Sequence, residues 1–107
     1  MVVAITKENF NSEIKSHSGP IILDIYASWC GPCQMMTPIF EELEQEFLGK
    51  CKFAKLNVDE ARELAIEYGV TSIPTFVFIK NGNVVKKEMG QLSKKALKEK
   101  IDAHIAS

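Results

Sequence analysis

A chain of 107 residues, 46% hydrophobic and 25% charged, is long enough to bury one core without disulfide staples or structural metal, so its three cysteines need a chemical explanation. A formal net charge of -1 lacks the dense basic surface that nucleic acid or an anionic membrane requires, which argues against both as partners. No stretch is apolar for long enough to span a bilayer, and the apolar residues 1–5 are too short for an export-signal h-region and have no basic n-region before them.

An odd cysteine count without a signal segment predicts a reducing compartment, with the cytoplasm as the default. No linker, low-complexity run or internal repeat interrupts the chain, so a single domain over residues 1–107 is expected. Charge is uneven: Glu41, Glu42, Glu44 and Glu46 acidify one segment, while Lys86, Lys87, Lys94, Lys95, Lys98 and Lys100 make the C-terminal part basic. Solvated helix faces are the plain reading of that pattern.

In chain order, residues 2–5 read as a short strand, and Thr6 as the N-cap of a helix carrying Phe10 and Ile14 on one face. Ser18-Gly19-Pro20 stops that helix. The β-branched run over residues 21–27 predicts a strand covered on both faces. Residues 34–48 repeat apolar side chains at helical spacing through Met36, Phe40, Leu43 and Phe47, with Pro38 removing one donor and predicting a kink. Gly49 ends that helix, and residues 52–58 form a third strand.

Asp59 is the expected cap of a short helix over residues 60–68, closed by Gly69. After Thr71-Ser72-Ile73-Pro74-Thr75 comes a fourth strand, residues 76–79. Asn81-Gly82 is a two-residue hairpin signal, so residues 84–89 should pair antiparallel with it. Ser93 caps a last helix with an apolar stripe of Leu97, Ile101 and Ile105. Strands and helices in this alternation predict an α/β fold: a mixed sheet with helices on both faces and right-handed crossovers.

Trp29-Cys30-Gly31-Pro32-Cys33 sits where the second strand gives way to the long helix. A C-x-x-C pair at a strand-to-helix junction, without secretory features, is a redox signature rather than a zinc one. The zinc alternative would need Cys30, Cys33, Cys51 and one histidine, and the missing second cysteine pair counts against it. A thiol attacks a disulfide only as thiolate, so its pKa must fall from about 8.5 toward ambient pH. Cys33 in the first helical turn and Cys30 just before it would meet free backbone N–H groups and the positive end of the helix dipole. Cys30, expected to be the more exposed, gains most as nucleophile. Gly31 permits a tight turn, and Pro32 presets the first turn of the helix; together they are expected to favour the dithiol.

Asp24 is an anomaly among Ile22, Leu23, Ile25 and Tyr26. Burial should raise its pKa and make it a proton acceptor near neutral pH. Lys55, between Ala54 and Leu56, is the obvious charge partner, with a snorkelling surface lysine as the equal alternative. Pro74 reads as trans from the residues alone, because most X–Pro bonds in folded proteins are trans. Cys51 reads as a small buried hydrophobe, His104 as a ligand of terminal helix carbonyls, and His17 as a loop residue.

W-C-G-P-C, an aspartate six residues before the first cysteine, A-K-L-N-V-D in the third strand, I-P-T before the fourth and the glycine at 90 together resemble the thioredoxin family over essentially the whole chain. The resemblance implies a five-stranded mixed sheet in the order 1-3-2-4-5 flanked by four helices, and it reverses the reading of Pro74 to cis. It implies Cys30 as attacking thiol, Cys33 as resolving thiol, and Asp24 with Lys55 as the pair that moves the Cys33 proton through water. Trp29, Gly31, Pro32, Ile73, Pro74 and Gly90 match positions lining a shallow groove, where the Ile73 backbone would pair with an extended target segment.

The implied activity is reduction of protein disulfides by dithiol–disulfide exchange, by a monomer that holds no cofactor or metal. The implied partners are disulfide-containing proteins and an NADPH-dependent, flavin-containing thioredoxin reductase. An accessory chain without catalysis and an oxidising or isomerising enzyme are the other readings of the same shape. Three positions depart from the family pattern: Gln34 in place of a common cation, Tyr26 in place of tryptophan or phenylalanine, and the extra Cys51.

Overall fold

The computed structural model describes all 107 residues, Met1–Ser107. Its centre is β2 (Pro20–Tyr26), in which Ile21, Ile22, Leu23 and Ile25 are all fully buried, so the run shows no polar alternation. β2 pairs in parallel with β3 (Lys52–Asn57) and antiparallel with β4 (Thr75–Lys80). β1 (Val3–Ala4) adds to β3 and β5 (Asn83–Met89) to β4, giving a five-stranded mixed sheet in the order β1-β3-β2-β4-β5. The expected order is therefore correct, with strand ends differing by a residue or two.

Three α-helices, α1 (Gly31–Glu46), α2 (Arg62–Glu67) and α3 (Lys94–Ala106), and a π-helical turn at Asn11–Lys15 flank the sheet. The pleat divides the core in two. Ile21, Leu23 and Ile25 face one way, against Ile14 of the π-helical turn and Leu64 and Ala65 of α2. Ile22 faces the other way with Phe53, Phe76 and Phe78, against Met36, Phe40, Leu43 and Phe47 of α1 and Leu97 and Ile101 of α3. Phe40 and Phe53 meet at 4.9 Å between ring centroids, which makes this the aromatic half of the core. Asp24, two residues beyond Ile22, must point to that half as well.

Helix boundaries show where local signals were incomplete. Thr6 does cap, in a reciprocal pair: its hydroxyl accepts from Asn9 N–H at 3.1 Å while its own N–H donates to Asn9 Oδ1 at 2.7 Å. The next residues form not the expected α-helix but a wider turn, closed by Ser16 N–H to the Asn11 carbonyl at 2.8 Å. Apolar spacing over so few residues does not distinguish the two closures. Asp59 does not cap α2, which begins at Arg62 with no side-chain cap. Asn57 builds the turn instead: its Oδ1 accepts Asp59 N–H at 2.9 Å, and its carbonyl accepts the N–H groups of Glu60 and Ala61. Pro38 lies inside α1, where it cannot donate to the Gln34 carbonyl. Ser93 caps α3 by accepting Ala96 N–H at 3.1 Å.

His104 also departs from expectation. Instead of a helix-end carbonyl, its Nε2 donates to the Ile79 carbonyl of β4 at 2.9 Å, and its ring stands edge-on to Phe78. A carbonyl only accepts, so Nε2 carries the proton. The acidic and basic segments meet each other: Lys94 pairs with Glu46 at 2.7 Å and Glu42 at 3.2 Å, tying α3 to α1. No helix is long and apolar enough to cross a membrane.

The β4–β5 hairpin turns on Asn81 and Gly82, both at positive φ (52° and 81°), which matches the twist of the strands. A Cβ on Gly82 would stand 2.6 Å from the Lys15 carbonyl oxygen, so the turn also fixes the π-helical segment beneath it. Gly82→Ala is expected to destabilise the fold by more than about 1 kcal/mol, read as a lower urea midpoint at unchanged slope. An unaltered midpoint would show that the turn tolerates a side chain.

Candidate active site

β2 ends at Tyr26, and the chain passes over Ala27, Ser28 and Trp29 into α1. Cys30 is the N-cap, with extended backbone (φ -87°, ψ 114°), and its Sγ accepts the Cys33 N–H at 3.2 Å. The position that usually carries a serine or aspartate oxygen thus carries a sulfur. Pro32 occupies the first turn, where a missing N–H costs nothing. Cys30 and Cys33 are joined as a disulfide, with Cα atoms 5.2 Å apart. Both are buried, and Cys30, at 6% against 2%, is the more accessible. Gly31 and Pro32 are exposed beside them.

Parallel pairing of β2 with β3 sets Tyr26 against Asn57, so both chains leave the sheet side by side. Asn57 Nδ2 donates to Ser28 Oγ at 3.2 Å, and the Trp29 indole N–H donates to Asp59 Oδ2 at 2.9 Å. Trp29 itself is 70% exposed. Asp59 is therefore a site residue that the sequence reading assigned to a helix cap. The signal that could have found it is the register, since residues just past two paired strand ends are neighbours. Gln34, the position lacking the common cation, spends its amide on the Ser28 carbonyl at 2.7 Å and braces the same turn.

From the opposite side comes the loop before β4. The Ile73–Pro74 bond is cis, so the trans reading from the residues alone is corrected. One tertiary and one local contact hold this loop: Gly90 N–H donates to the Pro74 carbonyl at 2.8 Å, and Thr75 Oγ1 to the Ser72 carbonyl at 2.6 Å. Ile73, with Tyr26 and Val58, packs on the small cluster of Ala27, Cys30 and Cys33. Gly90, at φ 93°, lies beside Met89, which is 63% exposed and accepts from Ser72 Oγ at 3.5 Å. Of the expected groove residues, Trp29, Gly31 and Pro32 adjoin the cysteines in the chain, Ile73 packs on the cysteine cluster, and Gly90 holds the Pro74 carbonyl, with Met89 as an unforeseen neighbour of that loop.

Asp24 is 6% exposed, and its Oδ1 has no hydrogen-bond partner. Burial pushes its pKa up to about 7, with Lys55 pulling the other way. The two are register partners across β2 and β3 and line one cleft of about 70 Å³ with Tyr26 and Thr37, although no ion pair joins them. Lys55 is half-buried, between the buried partner and the snorkelling surface lysine foreseen for it. Such a cleft is large enough for a water or two, at about 30 Å³ each. Thr37 connects it to the cysteines, because its hydroxyl donates to the Cys33 carbonyl at 3.4 Å. Cys51 precedes β3, at the end of that strand away from the site, so it cannot join a ligand set with Cys30 and Cys33. Burial pushes its thiol up to about 12.

The raised Asp24 pKa has a definite sign in stability. Below the unfolded value near 3.8 both states are protonated; above it the unfolded chain ionises first, so stability falls from about pH 4 to the folded pKa near 7 and then levels. Asp24→Asn should remove that decline and leave the variant more stable than the parent at pH 8 by a few kcal/mol, because each pH unit separating the folded and unfolded titrations is worth about 1.4 kcal/mol. Parallel urea midpoints for the two proteins from pH 4 to 8 would contradict this account of Asp24.

Comparison with known proteins agrees with the geometry. The Thioredoxin family model matches residues 1–103. The chain is 46% identical over 100 residues to a thioredoxin of Chlorobaculum thiosulfatiphilum, covering 94% of this chain and 93% of that one. It is 44% identical over 104 residues to a thioredoxin of Haemophilus influenzae, covering 97% of each, and 42% identical over 104 residues to one of Bacillus subtilis, covering 97% and 98%. A cysteine pair at a helix N-cap, on a sheet of this order and in this company of relatives, makes the chain a member of the thioredoxin family of thiol–disulfide oxidoreductases.

Proposed function

We propose that Cys30 is the attacking thiol, Cys33 the resolving thiol, and Asp24 the proton acceptor for Cys33 in the reduction of protein disulfides. The observation that carries this reading is the Cys33 N–H directed at Cys30 Sγ from the first turn of α1. The same amide, with the dipole behind it, stabilises a negative sulfur once the pair is reduced.

In the first step the Cys30 thiolate attacks one sulfur of a target disulfide. The target S–S bond breaks, a mixed disulfide forms, and the departing target thiolate takes a proton from solvent. In the second step Cys33 loses its proton through cleft water to the Asp24 carboxylate, and its thiolate attacks Cys30 Sγ. The mixed disulfide breaks, the second target sulfur leaves as a thiolate that takes a proton from solvent, and two electrons have passed from the Cys30–Cys33 pair to the target. Lys55, which lines the same cleft, favours the ionised form of Asp24 and keeps that carboxylate available near neutral pH.

Ile73 offers its backbone to an extended target segment, with Trp29, Gly31, Pro32, cis Pro74 and Gly90 as the walls of the groove. The oxidised pair is returned to the dithiol by a thioredoxin reductase, for which an NADPH-dependent flavoprotein is the proposed form. The protein acts as a single-domain monomer in the cytoplasm and needs no bound cofactor of its own.

Cys30→Ser is expected to abolish reduction of a model protein disulfide, whereas Cys33→Ser should accumulate covalent mixed disulfides visible on non-reducing gels. Turnover by Cys33→Ser at the parental rate would remove Cys33 from the second step. Below pH 7 Asp24 is increasingly protonated and cannot accept, so release of the mixed disulfide should quicken as pH rises through 7 in the parent. Asp24→Asn should lose that limb and slow release at pH 7.5 about a hundredfold, as followed by stopped-flow quenching. A pH profile identical to the parent's would exclude Asp24 from proton transfer.

A further inference from the structure

Ion pairs within the chain take up part of the charge that stands out in the sequence, for Lys94 and Lys98 of α3 reach Glu42 and Glu46 of α1. Around α2 a different set forms no ion pairs. Asp59, Glu60, Glu63 and Glu67, on and before α2, form no ion pair within 4.0 Å, nor do Lys7 and Arg62 beside them. These six rim a groove of about 750 Å³ whose floor is Phe10, Ala61 and Leu64. Four carboxylates against two cations give the rim a negative balance.

The groove is continuous with the redox face. Asp59, on its rim, accepts the Trp29 indole N–H at 2.9 Å, and Trp29 directly precedes Cys30. A target chain bonded through sulfur to Cys30 and running past Trp29 therefore crosses Asp59 and arrives over the apolar floor. From this we infer that the groove receives the segment flanking the disulfide of a protein substrate, and that it selects segments carrying lysine or arginine, whose aliphatic stems cover Phe10 and Leu64 while their charges meet the rim. This rests on the reading of Cys30 as the attacking thiol and adds to it a sequence preference in the target. The rim carboxylates act on approach and docking of the target, not on the sulfur chemistry.

The test uses the full chain, reduced beforehand and freed of reductant, with two synthetic peptides that carry the same intramolecular disulfide and differ only in two flanking lysines or two flanking glutamates. Wild type should reduce the lysine peptide about fivefold faster per unit concentration at low salt, with the preference shrinking at 1 M salt, where the screening length is about 3 Å. Glu60→Gln/Glu63→Gln/Glu67→Gln, which leaves one carboxylate against two cations on the rim, should reverse the preference while reducing hydroxyethyl disulfide at the wild-type rate, and Glu63→Lys, which balances the two signs, should erase it. Equal rates on the two peptides in wild type, or a lysine preference that survives in the triple variant, would overturn the inference. So would an effect of these substitutions confined to recycling by a reductase. Loss of hydroxyethyl disulfide reduction in wild type would count against Cys30 instead, which separates the two failures.

Discussion

An amide hydrogen shared with a sulfur is the constraint on which this molecule's chemistry depends. The Cys33 N–H would be one of the orphan donors at the start of α1, and Cys30 Sγ at 3.2 Å satisfies it. For that sulfur to sit there, β2 must end at Tyr26, the four residues 27–30 must turn the chain, and the helix must begin at Gly31. Asn57, Asp59 and Gln34 fasten that turn from three directions. The exposed position of Trp29 and the buried position of Cys33 are set by the same reversal.

Asp24 shows the cost at which the site is kept. A carboxylate on the aromatic side of the sheet loses water, and Lys55 offsets only part of that loss, so the carboxyl pKa rises rather than falls. Desolvation outweighs Coulomb attraction because no ion pair forms and Oδ1 has no donor. A salt bridge there would have made Asp24 a permanent anion; isolation instead puts its titration near neutral pH. The stability lost above pH 4 and the proton-accepting role proposed for Asp24 both follow from one burial.

Surface charge divides in a similar way between structure and recognition. The acidic face of α1 and the basic face of α3 neutralise each other and hold two helices over the aromatic half of the core. The charges around α2 form no ion pair in the chain and border an apolar floor next to Trp29. Charge runs in sequence thus marked the pairs that hold the fold, while the unpaired charges near the site were scattered among ordinary residues.

Much of the architecture was legible because it rests on local chemistry. The unbroken apolar run of β2, the Asn81-Gly82 hairpin, the Ser93 cap and the junction of strand and helix at Cys30 each announce themselves in a few neighbouring residues, and family resemblance supplied the order of the strands. The anomaly of Asp24 was also visible, since a carboxylate among isoleucines has few explanations. Relations between distant segments were decided only by the folded chain. Asp59 serves Trp29 because parallel pairing aligns Tyr26 with Asn57, His104 serves Ile79 because α3 lies across β4, and the half-burial of Lys55 depends on the cleft it shares with Asp24. The π-helical closure at Asn11–Lys15 belongs with these, since five residues carry too little pattern to choose it. Sequence by itself determined which residues seek burial, turns and caps, because those preferences act over a few bonds; tertiary structure decided which polar groups meet, because that depends on register and packing between segments far apart in the chain.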